Sequence, residues 1–183
     1  RVGEGDTGPN TGGMGAYSPA PVMDENMINR TIDEIIMPTV KGMNAEGIPF
    51  KGVFFAGLMI TDKGPELIEY NVRFGDPECQ TLMMRLDCDI VPALMACANG
   101  TLDKIKIKWK DKAAMNVVMA AKGYPESYNK NTVIKNLEIA GATDNVVIFH
   151  AGTKKIDGQI LATGDRVLNI TSLADSVTNA KIT

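Results

Sequence analysis

The chain has 183 residues and a formal net charge of −3, from 19 basic and 22 acidic side chains. Its lysines and arginines form no stripe long enough to follow a phosphate backbone, so the composition disfavours nucleic-acid binding. No apolar run approaches the roughly 20 residues that span a bilayer, and the start has no signal-peptide pattern, so we expect no membrane association.

The chain opens in a glycine-rich segment. Residues 3–21 contain six glycines and three prolines without periodicity, which predicts a loop. Gly3 to Gly8 match the Gly-x-Gly-x-x-Gly pattern, but no strand precedes them and Pro9 stands where a helix should open, so a dinucleotide site is not supported. Because the chain starts at Arg1, without an initiator methionine, we expect it to be a piece of a longer polypeptide.

A second glycine cluster, Gly12, Gly13 and Gly15 around Met14, lies within this loop. Glycines let a backbone approach a ligand closely, and exposed N–H groups can then form an anion-binding nest. The segment lacks the Gly-Lys-Ser/Thr ending of a Walker loop. A flexible surface loop explains the same residues, and composition alone favours that alternative.

Residues 24–47 have the pattern of one amphipathic helix. Asp24 is a suitable N-cap and Gly47 a suitable C-terminal residue. Pro38 should bend the helix near its middle. The apolar stripe consists of Ile28, Ile32, Ile35, Ile36, Val40 and Met43.

Two strand-like runs follow. Residues 52–61 are almost continuously apolar and residues 66–74 alternate, so with the turn at residues 62–65 they predict a β-hairpin. Alternation places Glu69, Asn71 and Arg73 on one face of the second strand. The opposite face would be filled by Ile68, Tyr70, Val72 and Phe74.

The second half of the chain changes in character. Residues 78–85 and 90–99 predict helices, the second ending at Gly100. Residues 102–112 are lysine-rich and amphipathic, and a helix-like pattern opens at residue 173. Strand-like segments recur at residues 113–121, 146–151 and 167–171. We therefore predict a boundary near residue 105, followed by a small, mostly β unit.

The polar face of the hairpin suits a phosphate-bearing ligand. Mg²⁺ takes hard oxygen ligands, usually one or two carboxylates with substrate phosphates and water, and Glu69 and Asn71 can supply such oxygens. The Arg73 guanidinium matches the geometry of a carboxylate or phosphate. An ordinary exposed strand, apolar inside and charged outside, explains the pattern equally well.

The cysteines and the histidine give little support to other chemistry. Three cysteines and one histidine make neither a zinc site nor a disulfide framework, so we expect reduced thiols in the cytoplasm. His150 lies in a strand-like run without a recognisable catalytic partner, and a structural role is favoured.

Three stretches form a specific combination. They are residues 6–19, reading DTGPNTGGMGAYSP, residues 70–78, reading YNVRFGDPE, and residues 150–153, reading HAGT. In order and spacing they resemble the phosphoribosylamine–glycine ligase family of the ATP-grasp superfamily, and the resemblance covers essentially the whole chain. Cys79, where the family more often has threonine, is a departure from the pattern.

The resemblance implies an α+β fold. Residues 1–105 would form the C-terminal half of an ATP-grasp core, an antiparallel sheet with helices. Residues 106–183 would form a β-rich C-terminal domain truncated at its end. The family's N-terminal domain and ATP lid would belong to a missing N-terminal part of the same polypeptide.

The resemblance also implies an activity. Members of the family use ATP to join glycine to 5-phosphoribosylamine through glycyl phosphate, in the second step of de novo purine biosynthesis. The implied cofactor is Mg²⁺ or Mn²⁺, with ATP as a substrate and the cytoplasm as the location.

Site residues follow from the same resemblance. Glu69 and Asn71 would be the metal ligands, and Arg73 would be catalytic, neutralising anionic charge at the reacting centre. The substrate-binding residues would be Gly12, Gly13, Met14, Gly15, Asp76, Pro77 and Glu78.

Two alternatives stay open. The chain could be a non-catalytic fragment or binding module that supports a partner, since half a nucleotide cleft does not exclude water. It could also belong to an ATP-grasp ligase with a different carboxylate substrate.

Overall fold

The computed structural model describes residues 2–5 and 7–182, and its architecture is α+β, as predicted. Asp6, the first residue of the 6–19 stretch, lies outside the described residues. The strands are β1 (Gly15–Ser18), β2 (Phe55–Thr61), β3 (Gly64–Asn71), β4 (Ala113–Ala120), β5 (Thr132–Val133), β6 (Val146–His150), β7 (Thr153–Ile156), β8 (Gln159–Ala162) and β9 (Arg166–Ala174). The α-helices are α1 (Glu25–Thr31), α2 (Met37–Ala45), α3 (Glu78–Arg85), α4 (Ile90–Asn99), α5 (Leu137–Gly141) and α6 (Val177–Ile182).

Contacts between residues divide the chain into two compact units, and segments of the two units alternate along the sequence. The first unit comprises Arg1–Ser18, Asp76–Arg85 and Lys110–Thr183, and the second comprises Pro19–Gly75 and Leu86–Trp109. The domain division near residue 105 stays a prediction. Within the first unit, the glycine-rich segment at residues 2–18 and helix α3 pack against the β-rich part of the chain.

The first unit contains a four-stranded antiparallel sheet in the order β1-β4-β9-β6. The prediction of a loop throughout residues 3–21 is wrong at β1, where Gly15 pairs with Val117 and Ser18 with Ala114. Because the segment has no periodicity of its own, this strand is specified by its partner β4. The glycine cluster is thereby attached to the edge of a sheet.

The buried face of this sheet is partly polar. Along β4, Ala114, Asn116 and Val118 are buried while Val117 and Met119 are exposed, which is the alternation of a strand with one covered face. Helix α3 packs on β1, β4 and β9. Within the sheet, Asn116 Nδ2 donates to Thr171 Oγ1 at 2.6 Å, whereas the buried Asn116 Oδ1 has no hydrogen-bond partner among the described residues.

A second, three-stranded sheet in the order β5-β8-β7 also belongs to the first unit. Its strands have two to four residues each, which is too short for a sequence pattern to reveal, and they were not predicted. The hydrophobic core beside it is formed by Ala162, Val167 and Leu168.

The second unit contains the predicted hairpin of β2 and β3, with Asp62 and Lys63 in the turn. The helix predicted over residues 24–47 is present from Glu25 to Ala45, with a π-helical segment at Ile32–Ile36. The π-helical segment ends at Ile36, two residues before Pro38, so the helical hydrogen-bond pattern changes next to the residue that lacks an N–H.

Both predicted helices that follow the hairpin are confirmed as α3 and α4, and α4 ends at Gly100 with a left-handed φ of 71°. Among the described residues, none of the helices combines the length and apolarity that a bilayer crossing requires.

Candidate functional site

Glu69 and Asn71 lie side by side at the end of β3. The Asn71 Nδ2 donates to Glu69 Oε1 at 3.0 Å, as expected for residues two apart on one strand face. Opposite them, Gly57 pairs with Glu69, and a Cβ on Gly57 would stand 3.2 Å from Glu69 Cγ. A glycine on the partner strand therefore leaves room for the glutamate side chain to lie across β2.

A β-bulge interrupts the alternation just before this pair. Gly57 pairs with Glu69 and the next residue, Leu58, pairs with Leu67, so Ile68 is the extra residue. The prediction that Ile68 and Val72 fill the apolar face is wrong, because these residues are 62% and 71% exposed. Bulges bend a strand and redirect its side chains, and this one lies directly beside Glu69.

Tyr70 anchors the end of the strand on the opposite side. Its hydroxyl lies 2.6 Å from Thr39 Oγ1 on α2, and its ring stacks on Phe54 at 4.5 Å between centroids. Since Tyr70 stands between Glu69 and Asn71, its packing fixes the backbone that carries both side chains.

Arg73 does not continue the strand face. Strand β3 ends at Asn71, and Arg73 lies in a bend, where its Nη1 donates to Phe74 O at 2.9 Å. The prediction that Arg73 shares the strand face with Glu69 and Asn71 is therefore wrong in geometry. Its catalytic role stays a prediction, and the side chain is exposed with further donors on the guanidinium.

The donor chemistry of Glu69 and Asn71 fits a magnesium-type ion. A carboxylate and an amide carbonyl are the oxygen ligands that such ions take when phosphates and water complete the coordination. No group of three or more histidine, cysteine, aspartate or glutamate side chains in the described part of the chain could hold a metal ion. The residues present thus suit an ion shared with a phosphate-bearing substrate rather than one enclosed by protein.

The predicted substrate residues lie in the first unit, where the Asp76–Pro77 turn meets the glycine cluster. A Cβ on Gly13 would stand 2.7 Å from Pro77 Cδ, so this contact requires glycine. The Asp76 carboxylate accepts from Gln80 Nε2 at 2.9 Å, which ties the turn to α3. Glu78 is the first residue of that helix.

The glycine cluster is held by its neighbours. Val118 N donates to Met14 O at 2.9 Å, and a Cβ on Gly15 would stand 2.8 Å from Asn116 O. None of Gly12, Gly13 and Gly15 has a positive φ, so the alternating conformation of an anion nest is absent there. Gly15 allows close approach to the backbone of Asn116, and Gly13 allows close approach to the Pro77 ring. The flexible-loop alternative does not fit these contacts.

Arg166 is the residue that sequence reasoning missed. From the first position of β9 its guanidinium donates to Gly13 O, Asp76 O and Asp76 Oδ2, each at 2.9 Å. The sequence offered one signal, a lone cation directly before an apolar strand.

Two further side chains have local explanations. His150 Nδ1 lies 2.9 Å from Thr153 Oγ1, which supports the predicted structural role. Partial burial, and secondly the charge of Asp76, raise the pKa of the Cys79 thiol.

The predicted site residues thus form two local groups. Glu69, Asn71 and Arg73 belong to the second unit, and the glycine cluster with Asp76, Pro77 and Glu78 belongs to the first. Contacts within the first unit join Gly13, Asp76 and Pro77.

Comparison with known proteins identifies related sequences for both halves of the chain. Residues 1–79 match the ATP-grasp (A) domain model of phosphoribosylglycinamide synthetase, and residues 114–183 match its C domain model. The phosphoribosylamine–glycine ligase of Agrobacterium fabrum is 63% identical over 99% of this chain, which corresponds to 42% of that protein. The chain therefore spans less than half the length of this curated relative.

Two solved structures resemble this chain over most of its length. Phosphoribosylamine–glycine ligase from Thermotoga maritima matches with a TM-score of 0.80 and 31% identity, over 97% of this chain and 43% of that one. Biotin carboxylase from Campylobacter jejuni, in a beta-gamma-ATP complex, matches with a TM-score of 0.61 and 16% identity, over 91% of this chain and 36% of that one. The second likeness concerns the fold alone.

Proposed function

Because this chain belongs to the phosphoribosylglycinamide synthetase family, matching its ATP-grasp and C domains, we propose that it is part of an ATP-dependent ligase that joins glycine to 5-phosphoribosylamine. The products are glycinamide ribonucleotide, ADP and phosphate, in the second step of de novo purine biosynthesis. The observation that carries the proposal is the pair of domain matches in chain order, with Glu69 and Asn71 adjacent on an exposed strand end within the first match.

The proposed reaction has two steps. A carboxylate oxygen of glycine attacks the γ-phosphorus of ATP, ADP leaves, and glycyl phosphate forms. The amine of phosphoribosylamine then attacks the glycyl carbonyl carbon, loses a proton, and expels phosphate to leave an amide. Both steps require close positioning of reactants and neutralisation of phosphate charge.

The side chains of this chain have distinct proposed tasks. Glu69 and Asn71 would hold Mg²⁺ or Mn²⁺, and Arg73 would present its guanidinium to the transferred phosphate or the glycine carboxylate. A divalent ion supplies charge neutralisation on the ATP phosphates when bound. Asp76, Pro77 and Glu78, with the 12–15 glycine cluster, would shape the sites for glycine and phosphoribosylamine.

The proposed partners are thus ATP, glycine and phosphoribosylamine, together with the remaining part of the same polypeptide. The proposed location is the cytoplasm, whose reducing conditions suit the free thiols of Cys79, Cys88 and Cys97. A preparation limited to these 183 residues is expected to show no ligation, since the curated relative is more than twice as long.

An isotope experiment on the full-length protein tests the proposal. Glycine labelled with ¹⁸O in its carboxylate is incubated with ATP, Mg²⁺ and phosphoribosylamine, and the released phosphate is analysed by mass spectrometry. One ¹⁸O atom per phosphate is expected, because the bridging oxygen of glycyl phosphate leaves with phosphorus. ADP formation that is independent of glycine, or phosphate without label, would contradict the proposal.

Omission and substitution of substrates complete the test. ADP formation should require glycine and phosphoribosylamine together for turnover. If another amino acid or carboxylic acid replaces glycine with higher kcat/KM, the ligase has a different carboxylate substrate.

A further inference from the structure

The Arg166 guanidinium connects two segments that are far apart in the sequence. Its Nη1 donates to Gly13 O and to Asp76 O, and its Nη2 donates to Asp76 Oδ2, each at 2.9 Å. The Arg166 side chain is 23% exposed, and that of Asp76 is 46% exposed. One side chain therefore spans the glycine cluster and the Asp76–Pro77 turn.

The contact geometry depends on arginine. A planar fork can meet a carboxylate and backbone carbonyls at once, whereas a lysine ammonium acts as a point donor on a flexible stem. A Cβ on Gly12 would stand 3.4 Å from Arg166 Cζ, so the small residue lets the guanidinium lie close to the loop backbone. The loop and the arginine are thus fitted to each other.

The 150–153 stretch holds the backbone that presents Arg166. Gly152 N donates to Arg166 O at 2.9 Å, and Gly152 O accepts from Thr163 N at 2.7 Å and from Gly164 N at 3.0 Å. A Cβ on Gly152 would stand 2.6 Å from Gly164 Cα. Because these two glycines touch backbone to backbone, the turn before β9 is fixed where Arg166 begins the strand.

We propose that Arg166 is a positioning residue for the ligation reaction, holding the glycine cluster at one fixed spacing from the Asp76–Pro77 turn. The inference rests on the proposed function, in which these two segments shape the sites for glycine and phosphoribosylamine. Arg166 acts through Gly13 and Asp76, and the 150–153 stretch supports it through the hydrogen bond from Gly152 N to Arg166 O.

Steady-state kinetics of the full-length protein test the catalytic part of the proposal. Arg166→Gln and Arg166→Lys should each raise KM for glycine or phosphoribosylamine by about ten- to a hundredfold, the range expected when charge-assisted hydrogen bonds are lost. KM for ATP should stay within about twofold of wild type. A merely structural role would lower the active fraction and leave every KM unchanged, and that result would overturn the proposal.

A matched arginine serves as the control. Arg30 also donates to a carboxylate, that of Glu34, and to a backbone carbonyl of another segment, Lys63 O, but it belongs to the second unit. Arg30→Gln should leave KM for glycine and phosphoribosylamine unchanged. A rescue experiment uses Arg166→Ala, in which added guanidinium ion can replace the missing side-chain group and should restore kcat/KM at least in part. Absence of any rescue would count against a positioning role of the Arg166 guanidinium.

Hydrogen exchange separates this inference from the proposed function. In Arg166→Gln, amides of residues 11–16 and 75–79 should exchange faster than in wild type, while amides of the β2–β3 hairpin should not change. Unchanged exchange in both segments would overturn the inference even if ligation is established. Faster exchange confined to them would support the contact role even in a protein that shows no ligation.

Discussion

Gly13 and Pro77 are packed so closely that a methyl group on Gly13 would stand 2.7 Å from Pro77 Cδ. The Pro77 ring cannot rotate away, because it is part of the backbone. Gly13→Ala should therefore separate the glycine cluster from the turn, lowering the free energy of unfolding by about 1–3 kcal/mol and raising KM for glycine or phosphoribosylamine. Denaturant titration and steady-state kinetics measure the two effects.

The control for this change is Gly42→Ala in helix α2, where a Cβ meets nothing within 4 Å. Alanine there should raise the free energy of unfolding by up to about 1 kcal/mol through helix propensity, without altering KM. If Gly13→Ala behaves like Gly42→Ala, the contact with Pro77 has no consequence.

Glu69→Gln should weaken divalent metal binding. The substitution keeps the shape of the side chain and removes its charge. Loss of a direct ligand should lower metal affinity by at least the roughly ten- to a hundredfold seen when outer-shell partners of metal sites are removed. Titration of ADP formation with Mg²⁺, and of the protein with Mn²⁺ followed by water-proton relaxation, should both show the loss. Near wild-type behaviour in both titrations would remove Glu69 from the metal site.

Glu66→Gln on the same strand is the matched control. Glu66 is exposed and its carboxylate lies 3.3 Å from Thr61 Oγ1, a contact that an amide oxygen can keep. Metal dependence in this variant should equal that of wild type.

Gly152→Ala should destabilise the first unit. Its Cβ would stand 2.6 Å from Gly164 Cα and 2.7 Å from Arg166 O, both backbone atoms that cannot rotate aside. We expect a loss of about 1–3 kcal/mol in the free energy of unfolding, measured by denaturant titration. Gly141→Ala, where a Cβ meets nothing within 4 Å, is the control and should not destabilise.

Cys79 should react slowly with iodoacetamide near pH 8. Partial burial and the nearby Asp76 charge raise the pKa of its thiol, so a smaller fraction is in the reactive thiolate form at a given pH. The exposed Cys88 of the same protein is the internal reference, and peptide mass spectrometry gives both rates. Asp76→Asn should speed alkylation of Cys79, whereas equal rates for both thiols in the unsubstituted protein would contradict the pKa direction.

Elements with local signals were predictable from the sequence. Helix α4 begins after Asp89, whose side chain accepts from Val91 N at 2.9 Å, and ends at Gly100 in the left-handed region. The hairpin follows from its apolar runs and the turn between them. In each case the deciding residues lie within a few positions of the element.

Elements specified by distant partners were not predictable. Strand β1 has no pattern of its own and is specified by its pairing with β4, where a Cβ on Gly15 would stand 2.8 Å from Asn116 O. The bulge at Ile68 was hidden because an extra isoleucine looks like any apolar strand residue. Arg166 was missed since its acceptors lie 90 and 153 positions away.

The interleaving of the two units has a consequence for synthesis and for protein engineering. The N-terminal strand β1 can complete its hydrogen bonds only after β4 has been made, about a hundred residues later, and β4 in turn pairs with β9. The β1 segment therefore acquires its partner β4 only after the entire second unit has been synthesised. A cut near residue 110 would yield a C-terminal piece lacking both β1 and α3, so its sheet would have an exposed edge at β4 and would lose the packing of α3 on β4 and β9.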